Sequence, residues 1–416
     1  MADGPEGAGM CSRFVLDGRK EGLPPWMDTP EPTMPDPSPI RIGQGQQTRS
    51  AARTLDERST SLAGIRHGRG ATLSLPDRHA AQQASPVDDG WGTLAEGEDG
   101  APRTELSFEA ARTIITRNTS PDLGFDRSIN AYRGCEHGCI YCYARPTHAW
   151  LGLSPGLDFE TRLTCKPDAA RLLEQELRRP SYQPRPIALG TNTDPYQPVE
   201  RTQAITRAIL AVLERFSHPV TIVTKSAGIL RDLDILGDMA ARRLVHVSLS
   251  VTTLDPDLAR RMEPRASTPA RRLEAIAALA RAGIPTSVMA APMIPALTDH
   301  ELEAILKEAA RAGASGAAYV LLRLPLEVAP LFEDWLARHY PDRAQHVLRR
   351  IRAMRGGALY DSTFGRRGRG EGAEADLLRQ RFLRARRALG LDRERPLDCS
   401  RFAPPPLRQD PQLSLF

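Results

Sequence analysis

Between residues 128 and 340 the sequence alternates between two periods, and that alternation restricts the fold more than any other feature. Short aliphatic and β-branched runs read as strands: SINAYR (128–133), PIALGTN (186–192), PVTIVTK (219–225), LVHVSLSV (244–251), IPTSVMAAP (284–292) and AAYVLLR (317–323). Amphipathic stretches at roughly 199–216, 227–242, 268–282, 299–312 and 328–339 read as helices. In one of these, Leu273, Ile276, Ala277 and Ala280 share a face, and Gly283 ends the helix. Six strands alternating with helices predict an α/β fold with a parallel sheet and right-handed crossovers. Chemically distinctive residues sit at the C-terminal strand ends, where barrel sites form. The expected architecture is therefore an open, partial (β/α)6 TIM-type barrel rather than a flat doubly wound sheet.

The flanks read differently. Residues 1–63, with PPWMDTPEPTMPDPSP, have the composition of a disordered N-terminal tail. Residues 64–125 are expected to pack on the core domain, 126–340. Residues 341–403 read as an Arg-rich helical C-terminal extension, with helices near 343–355 and 372–389 and a flexible connection between them. Residues 404–416 form a Pro-rich, extended tail. From Pro341 to the end there are 17 Arg and no Lys against 9 acidic residues, a surplus larger than the +5 of the whole chain. Such a surplus fits either a polyanion such as DNA or a solvated Arg-rich surface. No run approaches the ~20 apolar residues that span a bilayer, and MADGPEGAGM lacks the layout of a signal peptide. The expectation is a cytoplasmic protein with no membrane partner, whose six cysteines are ligands or free thiols.

The segment NAYRGCEHGCIYCYARPTHAW places Cys135, Cys139 and Cys142 in CxxxCxxC spacing directly after the first strand. Three close thiolates can hold three irons of a cubane and leave the fourth open, and soft thiolates also suit zinc. No fourth cysteine is near: Cys165 lies in a stretch that reads as a helix entry, while Cys11 and Cys399 are terminal. His137 could complete a Cys3His zinc site, although its place inside the tight loop works against that. His148 reads as structural. Asp194 and Tyr196 could bind a cofactor or face the substrate, and Glu263 and Arg265 could pair with each other near the site.

The cysteine spacing, with Tyr141 before the third thiol, resembles the radical S-adenosylmethionine (SAM) superfamily signature. The segments GTNTDPYQPVE, TKSAGILRD, SLSVTTLDPDLARRMEPRASTP and AGIPTSVMAAPMIPALTDHELE are similar to its spore photoproduct lyase-like (DNA repair photolyase-like) branch, in an uncharacterised subgroup. That resemblance implies a radical SAM core, with a [4Fe–4S] cluster on the three cysteines and SAM on the open iron. It also implies an electron donor of flavodoxin or ferredoxin type. Cleavage of SAM then yields a 5′-deoxyadenosyl radical. By the same resemblance Tyr141 packs near the adenine, and Thr193, Lys225 and Ser250 hold the SAM carboxylate. No equivalent of the family's hydrogen-donor cysteine can be placed, which leaves thymine-dimer reversal open. Gln412, Leu413, Leu415 and Phe416 resemble the peptide that docks on the bacterial sliding clamp. A Pro-rich tether offers two apolar plugs and one directional hydrogen bond. The expected function is radical chemistry on a DNA base, by a monomer. The alternatives are the same chemistry on RNA or protein, and a non-catalytic DNA-associated iron–sulfur or zinc protein.

Overall fold

The computed structural model of the chain describes residues 69–73, 75, 78–79, 102–393 and 396–406. Both the expected N-terminal tail and the 412–416 peptide lie outside them. The strands are β1 (Glu105–Phe108), β2 (Ile115–Arg117), β3 (Arg127–Ile129), β4 (Tyr132–Arg133), β5 (Arg162–Cys165), β6 (Ile187–Leu189), β7 (Val220–Thr224), β8 (Val245–Ser250), β9 (Thr286–Met293) and β10 (Gly316–Leu321).

Six of them, β3 and β6 to β10, run parallel, each beside its neighbour in sequence, while β2 caps the β3 edge antiparallel. Strand order without reversal is the winding of a (β/α) barrel; a doubly wound sheet reverses it. β3 and β10 do not pair, so the barrel stays open. An unpaired edge invites association, and the C-terminal extension covers this one. Asp392 bridges to Gly316, and Tyr319 packs on Phe382 of the helix Ala373–Ala388, ring centroids 4.8 Å apart. No helix among the described residues is long and apolar enough to cross a membrane.

Several expected elements are interrupted for local reasons. SINAYR is not one strand. At Asn130 the chain leaves the barrel, and the Asn130 side chain bridges to Thr191 and to the Asn192 amide (3.1–3.3 Å). Tyr132 and Arg133 then join a second, three-stranded sheet, β1-β5-β4. Cys165, expected at a helix entry, ends β5 instead; the helix begins at Ala169. The helix expected over 199–216 breaks at Ala204, where φ is +50°. A helix over Pro256–Met262 carried a signal that the two-period reading passed over: Asp255 caps it by accepting from the Asp257 and Leu258 amides, with Pro256 in the first turn.

The connection between the two C-terminal helices, expected to be flexible, is held to the core. The Leu321 amide donates to Gly368 O (2.8 Å), the Glu371 amide to Met354 O (2.9 Å), and Arg367 pairs with Asp122 (2.6 Å). Glycines and arginines read as a mobile linker by composition, but here they supply a tight crossing and a charge partner. Cys399 also departs from the expected free thiol, being disulfide-bonded.

Candidate functional site

The loop after β4 carries the three cysteines. Gly134 and Gly138 take positive φ (+78° and +65°), and at both a Cβ would crowd its neighbours, against Phe159 O (2.9 Å) and the Arg69 side chain (3.0 Å). The Cys135 amide bonds Phe159 O (2.9 Å) and the Ile140 amide bonds Met262 O (3.0 Å). The loop is thereby tied both to the short helix Asp158–Thr161 before β5 and to the helix after β8.

Beneath the loop lies a charged staple. Arg145 and Glu160 are both 0% exposed and pair directly. Arg145 also donates to the carbonyls of Cys139 (3.0 Å), Gly138 (3.2 Å), Pro155 (3.1 Å) and Gly156 (2.9 Å). Glu160 accepts from the amides of Arg69, Gly70 and Ala71 (2.7–2.8 Å). One ion pair thus satisfies backbone groups of the cysteine loop and of a strap from residues 69–71. A Cβ at Gly70 would stand 1.9 Å from Gly138 O. Gly70→Ala is expected to lift the strap, and hydrogen exchange should then show faster exchange of amides 135–145 than in the parent; unchanged exchange would contradict the contact.

Cys135 and Cys139 are buried and Cys142 is half-buried, and the three thiols lie near one another. Burial pushes the Cys135 thiol up to about 12 and the Cys139 thiol well above its usual range, each raised further by nearby negative groups. Working against burial, the Asp194 and His137 amides point at the Cys135 sulfur, and the Ala144 and Arg145 amides at the Cys142 sulfur. Lys225 favours the thiolates of Cys139 and Cys142. Among the described residues no three His, Cys, Asp or Glu side chains converge closely enough for one metal ion. A single tetrahedral ion draws its ligands together, whereas a cubane takes each thiolate on a different iron and spreads them. Amide donors aimed at the Cys135 and Cys142 sulfurs, and Lys225 beside Cys139 and Cys142, suit thiolates that ligate metal, as the irons of a cluster would require.

The other expected residues fall around this loop. Tyr141 is buried, and its hydroxyl donates to Glu263. The Lys225 Nζ stands 5.8 Å from the Tyr141 ring centroid, at the end of β7. Thr193 is buried and donates its hydroxyl to Tyr132 O (3.2 Å). Ser250 ends β8, and its carbonyl accepts from Arg272 (3.0 Å). Glu263 does not pair with Arg265: it binds Arg272, Tyr141 and Thr252 (2.7 Å), while Arg265 pairs with Glu136 (2.7 Å). A buried line Arg272–Glu263–Tyr141 therefore links the end of β8 to the cysteine loop. That line, and the Arg145–Glu160 staple, escaped sequence reasoning. In a chain where 52 of 56 basic residues are Arg, no spacing marks Arg145 or Arg272 as buried.

Asp194 serves the strand ends. It accepts from the Lys225 amide (2.7 Å), Thr224 Oγ1 (2.6 Å) and the Tyr196 amide (2.9 Å), and lies 3.4 Å from His137 Nδ1. Burial alone would raise its carboxyl, but His137 and these donors hold it at about 2. His137 thus turns to Asp194, away from a zinc role. Tyr196 packs in the core with Arg231 over its ring at 5.8 Å. His148 is structural: Nε2 meets Arg162 O (3.0 Å) and the ring packs on Phe159. Cys165 is buried, its thiol 3.5 Å from Ser107 O.

Residues 129–309 match the radical SAM superfamily. An uncharacterized protein of Mycobacterium tuberculosis is 41% identical over 222 residues, which is 53% of this chain and 65% of the relative. One from Methanocaldococcus jannaschii is 27% identical over 173 residues, 42% of this chain and 62% of the relative. The chain thus matches less than two thirds of the length of these relatives. Among solved structures, spore photoproduct lyase complexed with dinucleoside spore photoproduct aligns at TM-score 0.46 and 16% identity, over 68% of this chain and 79% of that one. A point mutant of the same lyase aligns at TM-score 0.48 and 17% identity, over 68% and 79%.

Proposed function

We propose a function from one premise: residues 129–309 form a domain of the radical SAM superfamily. On that premise the chain is a radical SAM enzyme whose Cys135, Cys139 and Cys142 hold a [4Fe–4S] cluster and whose substrate is a base of DNA. The observation that carries the reading is the trio of neighbouring thiols on one loop, with amides aimed at Cys135 and Cys142 and Lys225 beside Cys139 and Cys142. When bound and reduced, such a cluster supplies the electron that cleaves SAM and yields the 5′-deoxyadenosyl radical.

The chain's own residues hold and orient. The Lys225 ammonium would give the SAM carboxylate a point charge at the end of β7, and Asp194 fixes the turn that presents it through the Lys225 amide. Thr193 and Ser250 offer polar groups at neighbouring strand ends. Glu263, anchored by Arg272, fixes the Tyr141 ring in one orientation, where it would pack near the adenine of bound SAM. The Arg145 staple keeps the loop buried and limits water at the thiols.

The basic surplus after Pro341 supports DNA as the partner, and the tail peptide Gln412, Leu413, Leu415 and Phe416 supports recruitment by the sliding clamp. An electron donor of flavodoxin or ferredoxin type completes the system. The test is 5′-deoxyadenosine release from the reduced, cluster-loaded chain with SAM and damaged DNA, RNA or peptide. The reading expects release to rise with DNA alone. Release that rises with RNA or peptide instead overturns the substrate class, and no release under any condition overturns the enzyme. Deleting 412–416 should abolish clamp binding and spare SAM cleavage; loss of both would make the tail structural.

A further inference from the structure

Beyond the last barrel strand, a buried and a half-buried arginine neighbour each other with too few acceptors. Arg355 is 3% exposed, and its Nε and Nη1 have no hydrogen-bond partner; only Nη2 is used, on Leu322 O. Arg323, two residues past β10, is half-buried, and its Nε is also without a partner. Its Nη2 makes a long contact with Tyr360 Oη (3.4 Å). The Arg323 guanidinium stands 4.8 Å over the ring of Tyr143, the residue after Cys142, so the pair borders the cysteine loop. Burial, and then Arg323 itself, push the Arg355 guanidinium down to about 10. Asp361, whose charge favours the Arg355 cation, is engaged with Arg366 (3.0 Å) and bonds neither arginine.

Native interiors rarely leave buried donors orphaned, least of all charged ones. A guanidinium has donors only, so the missing partner is an acceptor. Two adjacent like charges require that partner to be an anion, and two planar forks suit the several oxygens of a phosphate. We propose that Arg323 and Arg355 form a phosphate-binding pair at the mouth of the barrel, which takes a phosphodiester of the substrate strand. The strand assignment rests on the nucleic-acid reading above; the anion pair stands on the orphaned donors alone.

The three unpartnered nitrogens lie beneath the surface, and Arg323 touches the 356–370 connection at Tyr360. That connection is tied at Gly368 to β10 but exposed at residues 362–366. The phosphate therefore enters as this exposed part shifts, and it should slow hydrogen exchange there once bound.

The test uses the full chain. Sodium phosphate should raise its melting temperature above that in sodium chloride of equal ionic strength. Arg355→Met and the gentler Arg323→Gln should each abolish the part of that increment that exceeds the general salting-out effect of phosphate. Arg355→Met should itself melt no lower than the parent, because it removes a buried cation that lacks acceptors. No increment in the parent, or an undiminished increment in the folded variants, overturns the pair. If Arg355→Met does not fold, Arg323→Gln with hydrogen exchange over 356–370 decides alone. A short single-stranded DNA oligomer, followed by anisotropy, separates the two claims. Binding about tenfold weaker in each variant supports the strand assignment. Equal binding in parent and variants overturns it. If the oligomer fails to bind the parent while phosphate still acts through both arginines, the DNA reading falls and the anion pair stands.

Discussion

Cys135→Ala, reconstituted anaerobically with iron and sulfide, is expected to lose both cluster absorbance and SAM cleavage to the level of iron-free protein. The thiol is nearly enclosed, tied through its own amide to Phe159 O and met by the Asp194 and His137 amides. Among the described residues Cys165 cannot replace it, being committed to β5 in the second sheet. Cys139→Ala and Cys142→Ala should behave alike, because in the proposed cluster each thiolate would serve a different iron. Cys165→Ala is the control. It removes a buried small side chain and one weak S–H contact, so it should cost about 1 kcal/mol of stability and leave the cluster intact. Iron content and the visible spectrum read both arms. Cluster loss in Cys165→Ala, or its retention in Cys135→Ala, would assign the metal to other ligands.

The second large effect falls on a residue that touches no cofactor. Arg145→Met is expected to destabilise the chain by about 3–5 kcal/mol, the loss typical when one partner of a buried ion pair is removed. Glu160 would stay fully buried without its cation, and four loop carbonyls would lose a donor. Replacing both partners by apolar residues should not restore stability here, because Glu160 also binds the amides of residues 69–71. The exposed pair Arg271–Glu274, at 2.7 Å, supplies the contrast, and Arg271→Met should change stability by less than about 1 kcal/mol. Denaturant unfolding of the three proteins measures the difference. An Arg145→Met chain as stable as Arg271→Met would contradict the staple.

What the sequence disclosed followed from periodicity and spacing. Strand-helix alternation carries the parallel six-stranded order because each unit must bury one face against the next. The cysteine spacing needs no tertiary knowledge, because the three thiols lie within one loop. What stayed hidden depends on contacts far along the chain. The break at Asn130 is fixed by Thr191 and Asn192, about sixty residues away, and nothing in SINAYR itself announces it. Glu263 stands two residues from Arg265, which invited a local pair, yet the fold gives it Arg272 and Tyr141. Gly70 and Glu160 matter only because a strap from 69–71 crosses the loop, and a short polar strap carries no period. The connection after Met354 misled by composition, since glycine and arginine mark linkers as readily as they mark a tight crossing.

The most direct test of the central claim is EPR of the anaerobically reconstituted, reduced chain, recorded with and without SAM. A cubane signal that shifts when SAM is added and vanishes in Cys135→Ala is the predicted result, because only a cluster with an open iron responds to that ligand. A cluster signal indifferent to SAM, or bound zinc with no iron signal, would contradict it.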